Sequence, residues 1–333
     1  MRIFQQPRLL FFYWLPVLLL LAACSAPSEQ PTSAVTPQVN ATQAPSAGTF
    51  TPAPSAVTPS LTSAVTFTPL LTSTPTRAAP LSGVSPSPTP AAWKSLPVIP
   101  GISIRARNVY QLGVVKGNNP QAFAKVGDCE TDTDWFLEDF DKGPGSYSLG
   151  PYQSLQSVID YFKGSFGRKS LAARRGFNAA ALLTTFWSDP EQCKTDETPL
   201  ACEYRIQRPS VALIMLGTND VSRKDAFEEN LRQVIQFSLD QSVLPVLVTK
   251  ADNLEGDESI NAAIARLAQE YDLPLWTFWA EVQPLPGHGL VEDGAHLTHA
   301  PNRFDDPLAM KAAWPWRNLS ALQVLDAVLQ GVK

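Results

Sequence analysis

Three runs almost free of polar residues constrain this chain more than any other feature: Val211–Leu216 between Pro209 and Gly217, Val243–Thr249, and Leu275–Trp279. A strand with one wet face alternates apolar and polar residues. These runs do not alternate, so both of their faces must be covered, as in a parallel sheet. Helical spacing lies between and after them. Ala226–Leu239 places Phe227, Leu231, Val234, Ile235 and Leu239 three and four apart. Ile260–Tyr271 does the same with Ile260, Ile264 and Leu267, and Leu319–Leu329 gives a closing helix. Upstream, Ala122–Val126 reads as a shorter strand ending at Gly127, and Ser170–Arg174 as a weaker one ending near Gly176. The alternation predicts an α/β domain, a three-layer α/β/α sandwich on a mainly parallel sheet. Ligands of such sheets bind at the carboxyl ends of the strands. Those ends carry Gly127-Asp128-Cys129, Gly176-Phe177-Asn178 and Gly217-Thr218-Asn219-Asp220.

The domain so described spans residues 93–333, enough for one sizeable core. Residues 1–92 are of another kind. Arg2 and Arg8 precede an apolar run, Leu9–Ala23, which Pro16 interrupts and which is shorter than the ~20 residues needed to cross a bilayer. It ends in Leu21-Ala22-Ala23-Cys24, which resembles the lipobox of bacterial lipoproteins. That resemblance implies a signal peptide over residues 1–23, removal of it, a lipid on Cys24, and an extracytoplasmic protein anchored to a membrane. From Ser25 to about Ala92 the chain is Pro, Ser, Thr and Ala, with Glu29 and Arg77 its only charges. Such a segment cannot bury enough apolar surface to offset its ordering entropy, so residues 24–92 are expected to form an extended tether. The net charge of −5 leaves no basic stripe for phosphates, so no nucleic-acid partner is expected.

Export places the cysteines where disulfides persist. The chain has four, Cys24, Cys129, Cys193 and Cys202. With Cys24 lipidated, Cys193 and Cys202 flank a short polar stretch and form the expected pair, and Cys129 is left as a free thiol.

The polar ends of the strands, in their order, resemble the SGNH (GDSL-type) hydrolases from about Gln121 to Thr298. Gly127-Asp128-Cys129 stands where that family has Gly-Asp-Ser, and Gly176 where it has its second-block glycine. Gly217-Thr218-Asn219-Asp220 matches the third block, and Asp293-Gly294-Ala295-His296 the final Asp-x-x-His. The resemblance implies a flavodoxin-like sheet and an ester or thioester hydrolase. Its nucleophile would be Cys129, its base His296 and the orienting acid Asp293. Its oxyanion hole would combine the N–H groups of Cys129 and Gly176 with the Asn219 side chain. The substrate would be an acyl ester of a small molecule, lipid or polysaccharide.

The family's serine is replaced here by cysteine, and Asp128, Glu130, Asp132 and Asp134 crowd that cysteine in sequence. Carboxylates disfavour a neighbouring thiolate. The same residues therefore also permit a binding lipoprotein that keeps the fold and has lost catalysis; a structural spacer would not need four ordered motifs. Asp293, His296 and His299 are of zinc-ligating types, but no fourth ligand is evident, so no metal or other cofactor is expected. His288 and His299 are expected in solvated loops. Trp314 and Trp316 are expected to pack in the core or its rim rather than to line a sugar site.

Overall fold

The structure, a computed structural model, describes residues 92–333. The expected signal segment, the tether and Cys24 lie outside the described residues. Four strands form one sheet: β1 (Asn119–Gly127), β2 (Pro209–Met215), β3 (Leu244–Val248) and β4 (Leu275–Trp276). They are all parallel, in the order β1-β2-β3-β4. The helices are α1 (Ile104–Val115), α2 (Asp139–Lys142), α3 (Gln156–Tyr161) and α4 (Pro199–Gln207), then α5 (Lys224–Asp240), α6 (Ser259–Glu270), α7 (Phe278–Val282) and α8 (Ala313–Val332).

The uninterrupted apolar runs behave as their composition requires. All residues of β2 and of β3 are buried, because helices cover both faces of the sheet. The connections β2-α5-β3 and β3-α6-β4 advance the same way across the sheet, so right-handed crossovers place α5 and α6 on one face, where they touch. Helices α1 and α8 pack against each other, and α1 also lies on β2 and β3. The fold is the expected α/β/α sandwich.

Two strands are shorter than their runs. Of Leu275–Trp279 only the first two residues pair; Thr277 turns away, its N–H donating to Val98 O at 3.2 Å, and Phe278 begins α7. Ser170–Arg174 is not a strand but touches the sheet at a single parallel bridge, Gly127 to Ala173. Gly127 N donates to Ala172 O at 3.0 Å and Arg174 N to Gly127 O at 3.2 Å. This bridge lies on the edge of β1 away from β2. Counted as a strand, it gives the spatial order 2-1-3-4-5 of flavodoxin-like sheets, with the chain reversing direction at β1.

Cys193 and Cys202 are disulfide-bonded, with Cα atoms 5.3 Å apart, which closes the loop that leads into α4. Thr198 caps that helix, its Oγ1 accepting from Ala201 N at 3.2 Å. Cys129 is a free thiol. Among the described residues no helix is long and apolar enough to cross a membrane.

Candidate active site

Residue Gly127 ends β1 at a place where no side chain fits. A Cβ there would lie 2.3 Å from Thr131 Oγ1 and 2.4 Å from Met215 O. The chain then winds into one tight turn. Asp128 O accepts from Thr131 N at 3.0 Å and from Asp132 N at 2.8 Å, and Asp128 Oδ1 accepts from Glu130 N at 3.1 Å. The turn carries Cys129 past the end of the strand, half-buried, while Asp128 and Glu130 point inward and are buried.

The Gly176 loop is fastened to this turn, Arg175 N donating to Asp132 Oδ2 at 3.2 Å. Gly176 has φ of +85°, a conformation open to glycine at little cost, and a Cβ there would meet nothing within 4 Å. The residue is exposed. The Gly-Thr-Asn-Asp segment after β2 holds the same loop from the other side. Asn219 Nδ2 donates to Phe177 O at 3.0 Å, and the Asp220 carboxylate accepts from Ala179 N at 3.0 and 3.3 Å. The second N–H of the Asn219 amide has no protein partner among the described residues.

His296 sits in a tight hairpin closed by the antiparallel bridge Leu290–Leu297, with Val291 N donating to His296 O at 2.9 Å. Asp293 builds the tip. Its Oδ1 accepts from Ala295 N at 2.9 Å and His296 N at 3.0 Å, while Oδ2 meets the imidazole Nδ1 at 2.7 Å. The other ring nitrogen, Nε2, is 3.8 Å from Cys129 Sγ. Leu297 N donates to Glu130 Oε1 at 3.4 Å, which ties the hairpin to the thiol's turn. The structure thus brings Cys129, His296 and Asp293 into one line at the carboxyl end of the sheet. Gly176 and Asn219 lie in the adjoining loops.

No protein-family model and no curated protein matches the sequence. Solved structures do resemble the chain. TesA is 16% identical, matched over 62% of this chain and 99% of that one, with a TM-score of 0.41. A GDSL-like lipase from Bacteroides thetaiotaomicron is 13% identical over 68% of this chain and 97% of that one, at a TM-score of 0.38. A psychrotrophic esterase from a Pseudoalteromonas species is 14% identical over 63% and 99%, at 0.40. These are distant likenesses of chain course; the chemistry has to be argued from the residues.

The electrostatics divide the line in two. The Asp293 carboxyl is pulled down to about 2 by the backbone N–H groups of His296 and Ala295 and then by the imidazole. In return the Asp293 hydrogen bond raises the His296 pKa above its ordinary value, which suits a ring that must take up a proton. The thiol is shifted the other way. Burial, then the charges of Asp128 and Glu130, push Cys129 up to about 11. The four acidic neighbours do not act together: Asp132 is spent on Arg175 N, and Asp134 pairs with Lys169.

Sequence reasoning missed the residue that answers these carboxylates. Arg317 on α8 is buried, with Nη1 at 3.4 Å from Glu130 Oε2 and Nη2 at 2.9 Å from the Met215 sulfur. Its charge opposes the rise that burial imposes on Asp128, whose pKa still reaches about 7, and on Glu130. Asp128, Glu130, Arg317, Thr218, Lys250 and Asp252 wall a cavity of about 30 Å³ under the site. Nothing near Arg317 in sequence signals this; only the packing of α8 across the sheet brings it there.

Of the other residues considered, His288 and His299 are solvent-exposed. His288 Nδ1 lies 2.9 Å from Gln283 O. Among the described residues no cluster of His, Cys, Asp and Glu has the form of a metal site. Trp314 is buried, and Trp316 is half-buried with Nε1 donating to Met310 O at 2.7 Å.

Proposed function

We propose that the protein is an SGNH-type ester or thioester hydrolase with cysteine at the nucleophile position, held outside the cytoplasm on a lipid at Cys24. One observation carries the catalytic half of this reading: Cys129 Sγ, the His296 ring and the Asp293 carboxylate follow one another at 3.8 and 2.7 Å. With the thiol raised and the imidazole oriented by a low-pKa carboxylate, a preformed thiolate–imidazolium pair is disfavoured. His296 Nε2 takes the thiol proton as sulfur attacks the ester carbonyl. The resulting oxyanion is met by the N–H groups of Cys129 and Gly176 and the free N–H of Asn219. Collapse expels the alcohol, which receives the proton from His296. Water, activated by the same ring, then releases the acid and restores the thiol.

A second reading, a binding protein that has given up catalysis, is favoured by the thiol pushed up to about 11. One experiment separates them. The full chain, Cys129→Ser and Cys129→Ala are assayed on short acyl esters, thioesters and acetylated sugars. The hydrolase reading expects turnover by the wild type, retained or increased by Cys129→Ser because His296 can activate a hydroxyl, and abolished by Cys129→Ala. Wild type and Cys129→Ser both inert on every substrate would leave the binder.

A further inference from the structure

Helix α1 is fastened to the chain just ahead of the strands, at the end of the sheet away from Cys129. Ser103 Oγ donates to Asp272 O at 3.0 Å, ahead of β4, and Lys116 Nζ to Ser242 Oγ at 2.9 Å, ahead of β3. Where the chain leaves the helix, Asn119 N donates to Arg208 O at 2.7 Å, ahead of β2. The end of α8 lies alongside, its Gly331 O accepting from Arg107 Nε at 2.7 Å and its Val332 O from Gln111 Nε2 at 3.2 Å. This seating buries Ala106, Tyr110 and Gly113 and turns the opposite side of the helix outward.

That outward side is not the polar one a solvent-facing helix presents. Ile104, Asn108, Gln111, Leu112 and Val115 follow one another along a single crest, at spacings of three and four. Ile104 is 78%, Leu112 49% and Val115 83% exposed. Arg105 and Lys116 stand on one flank of the crest and Arg107 on the other, and neither the helix nor its caps hold an acid. Asp240 and Asp272, on adjoining segments, offset part of this charge.

Two demands follow, a cover for three aliphatic side chains and negative charge beside it. Water meets only the second. A second copy packed across a two-fold axis would bring the cations of one α1 against those of the other. An anionic lipid surface meets both, with acyl chains at the headgroup boundary for the crest and phosphates for its flanks. The opposite end of the sheet is unsuited to it, since Glu292, Asp293, Asp305 and Asp306 are exposed there.

We propose that α1 docks the domain on an anionic bilayer, with Ile104, Leu112 and Val115 at the headgroup boundary and Arg105, Arg107 and Lys116 among the phosphates. Cys129 and His296 then face away from the lipid. That a bilayer is at hand rests on the reading of Cys24 as a lipid anchor; the contact itself needs no acyl group.

The full chain is made with dansylalanine in place of Val115 or, as a control at the catalytic end, of Phe186. Each protein is mixed with vesicles of phosphatidylcholine alone or of an equimolar phosphatidylcholine–phosphatidylglycerol mixture. On the mixed vesicles the fluorophore at position 115 is expected to shift to the blue and to be quenched by doxyl-labelled lipid. Phosphatidylcholine alone or high salt should abolish most of this. The fluorophore at position 186 should stay in water throughout. Ile104→Glu and, separately, Arg105→Glu should weaken the response about tenfold or more with an unchanged Tm, because both side chains are exposed. The proposal is overturned if position 115 stays in water on the mixed vesicles, if it responds equally to both compositions, if position 186 enters the lipid instead, or if position 115 is covered without lipid as the protein dimerises. Flotation of the protein with position 115 still in water would defeat the docking and leave the anchor standing. The blue shift in a chain whose mass shows no acyl group would uphold the docking and defeat only the anchor.

Discussion

Asp293 Oδ2 stands 2.7 Å from His296 Nδ1, so the imidazole is oriented by a carboxylate three residues away on the same hairpin. That contact sets a pH dependence. Asp293 raises the His296 pKa, and the ring accepts a proton only when neutral. Hydrolysis should therefore rise with pH through a midpoint above the ordinary histidine value of about 6.5. Asp293→Asn should lower that midpoint and cut kcat by roughly a hundredfold or more, since the ring loses its orientation as well. Rates measured from pH 5 to 9 in both proteins check this; an unchanged midpoint in Asp293→Asn would contradict it.

The thiol should be a reluctant nucleophile toward simple alkylating agents. With Cys129 pushed up to about 11, its labelling by iodoacetamide should keep accelerating beyond pH 9 without levelling off. Mass spectrometry of the labelled Cys129 peptide gives the rate. A plateau near neutral pH would instead reveal a thiolate stabilised by the imidazolium.

Removing the Cys193–Cys202 bridge should destabilise the domain without touching the site. A loop this short accounts for about 2–3 kcal/mol in the chain-entropy view. Denaturant unfolding of the Cys193→Ser/Cys202→Ser protein should show a loss of that order. Non-reducing peptide mapping of the wild type should find this pair linked and Cys129 free.

Oxyanion stabilisation is tested at Asn219. Its amide is half committed to Phe177 O, which fixes its orientation. Asn219→Ala should cost roughly 10²–10³ in kcat. Asn219→Asp fills the space but presents only acceptors, both to Phe177 O and to the oxyanion, and should be no faster than alanine.

The lipid anchor is open to direct measurement. Intact mass of the membrane-extracted protein should show a chain beginning at Cys24 and carrying acyl groups. A mature chain that still holds residues 21–23 would refute it.

The parallel core was legible because its strands are buried on both faces, and burial writes itself into the sequence as unbroken apolar runs such as Val211–Leu216. Helix α1 was not, because the residues it buries are Ala106, Tyr110 and Gly113. Gly113 lies so close to Ser242 O that a Cβ would be 2.1 Å away, and such backbone-to-backbone packing leaves no apolar stripe to detect. The line from Cys129 to Asp293 could be named in advance because each member sits in a short motif. The acidic run around Cys129 misled by half. Sequence proximity did not disclose that Asp132 and Asp134 face partners elsewhere, nor that Arg317 lies beneath the other two.

Asp293 shapes the backbone of its hairpin with one oxygen and aims the imidazole with the other, all within four residues. The acid–base pair is thus a self-contained cartridge. If the hairpin shifts as a body, the contact between Asp293 and His296 travels with it unaltered. What changes is how the hairpin meets the thiol's turn, at the gap to the sulfur and at the Leu297 N–H to Glu130 contact.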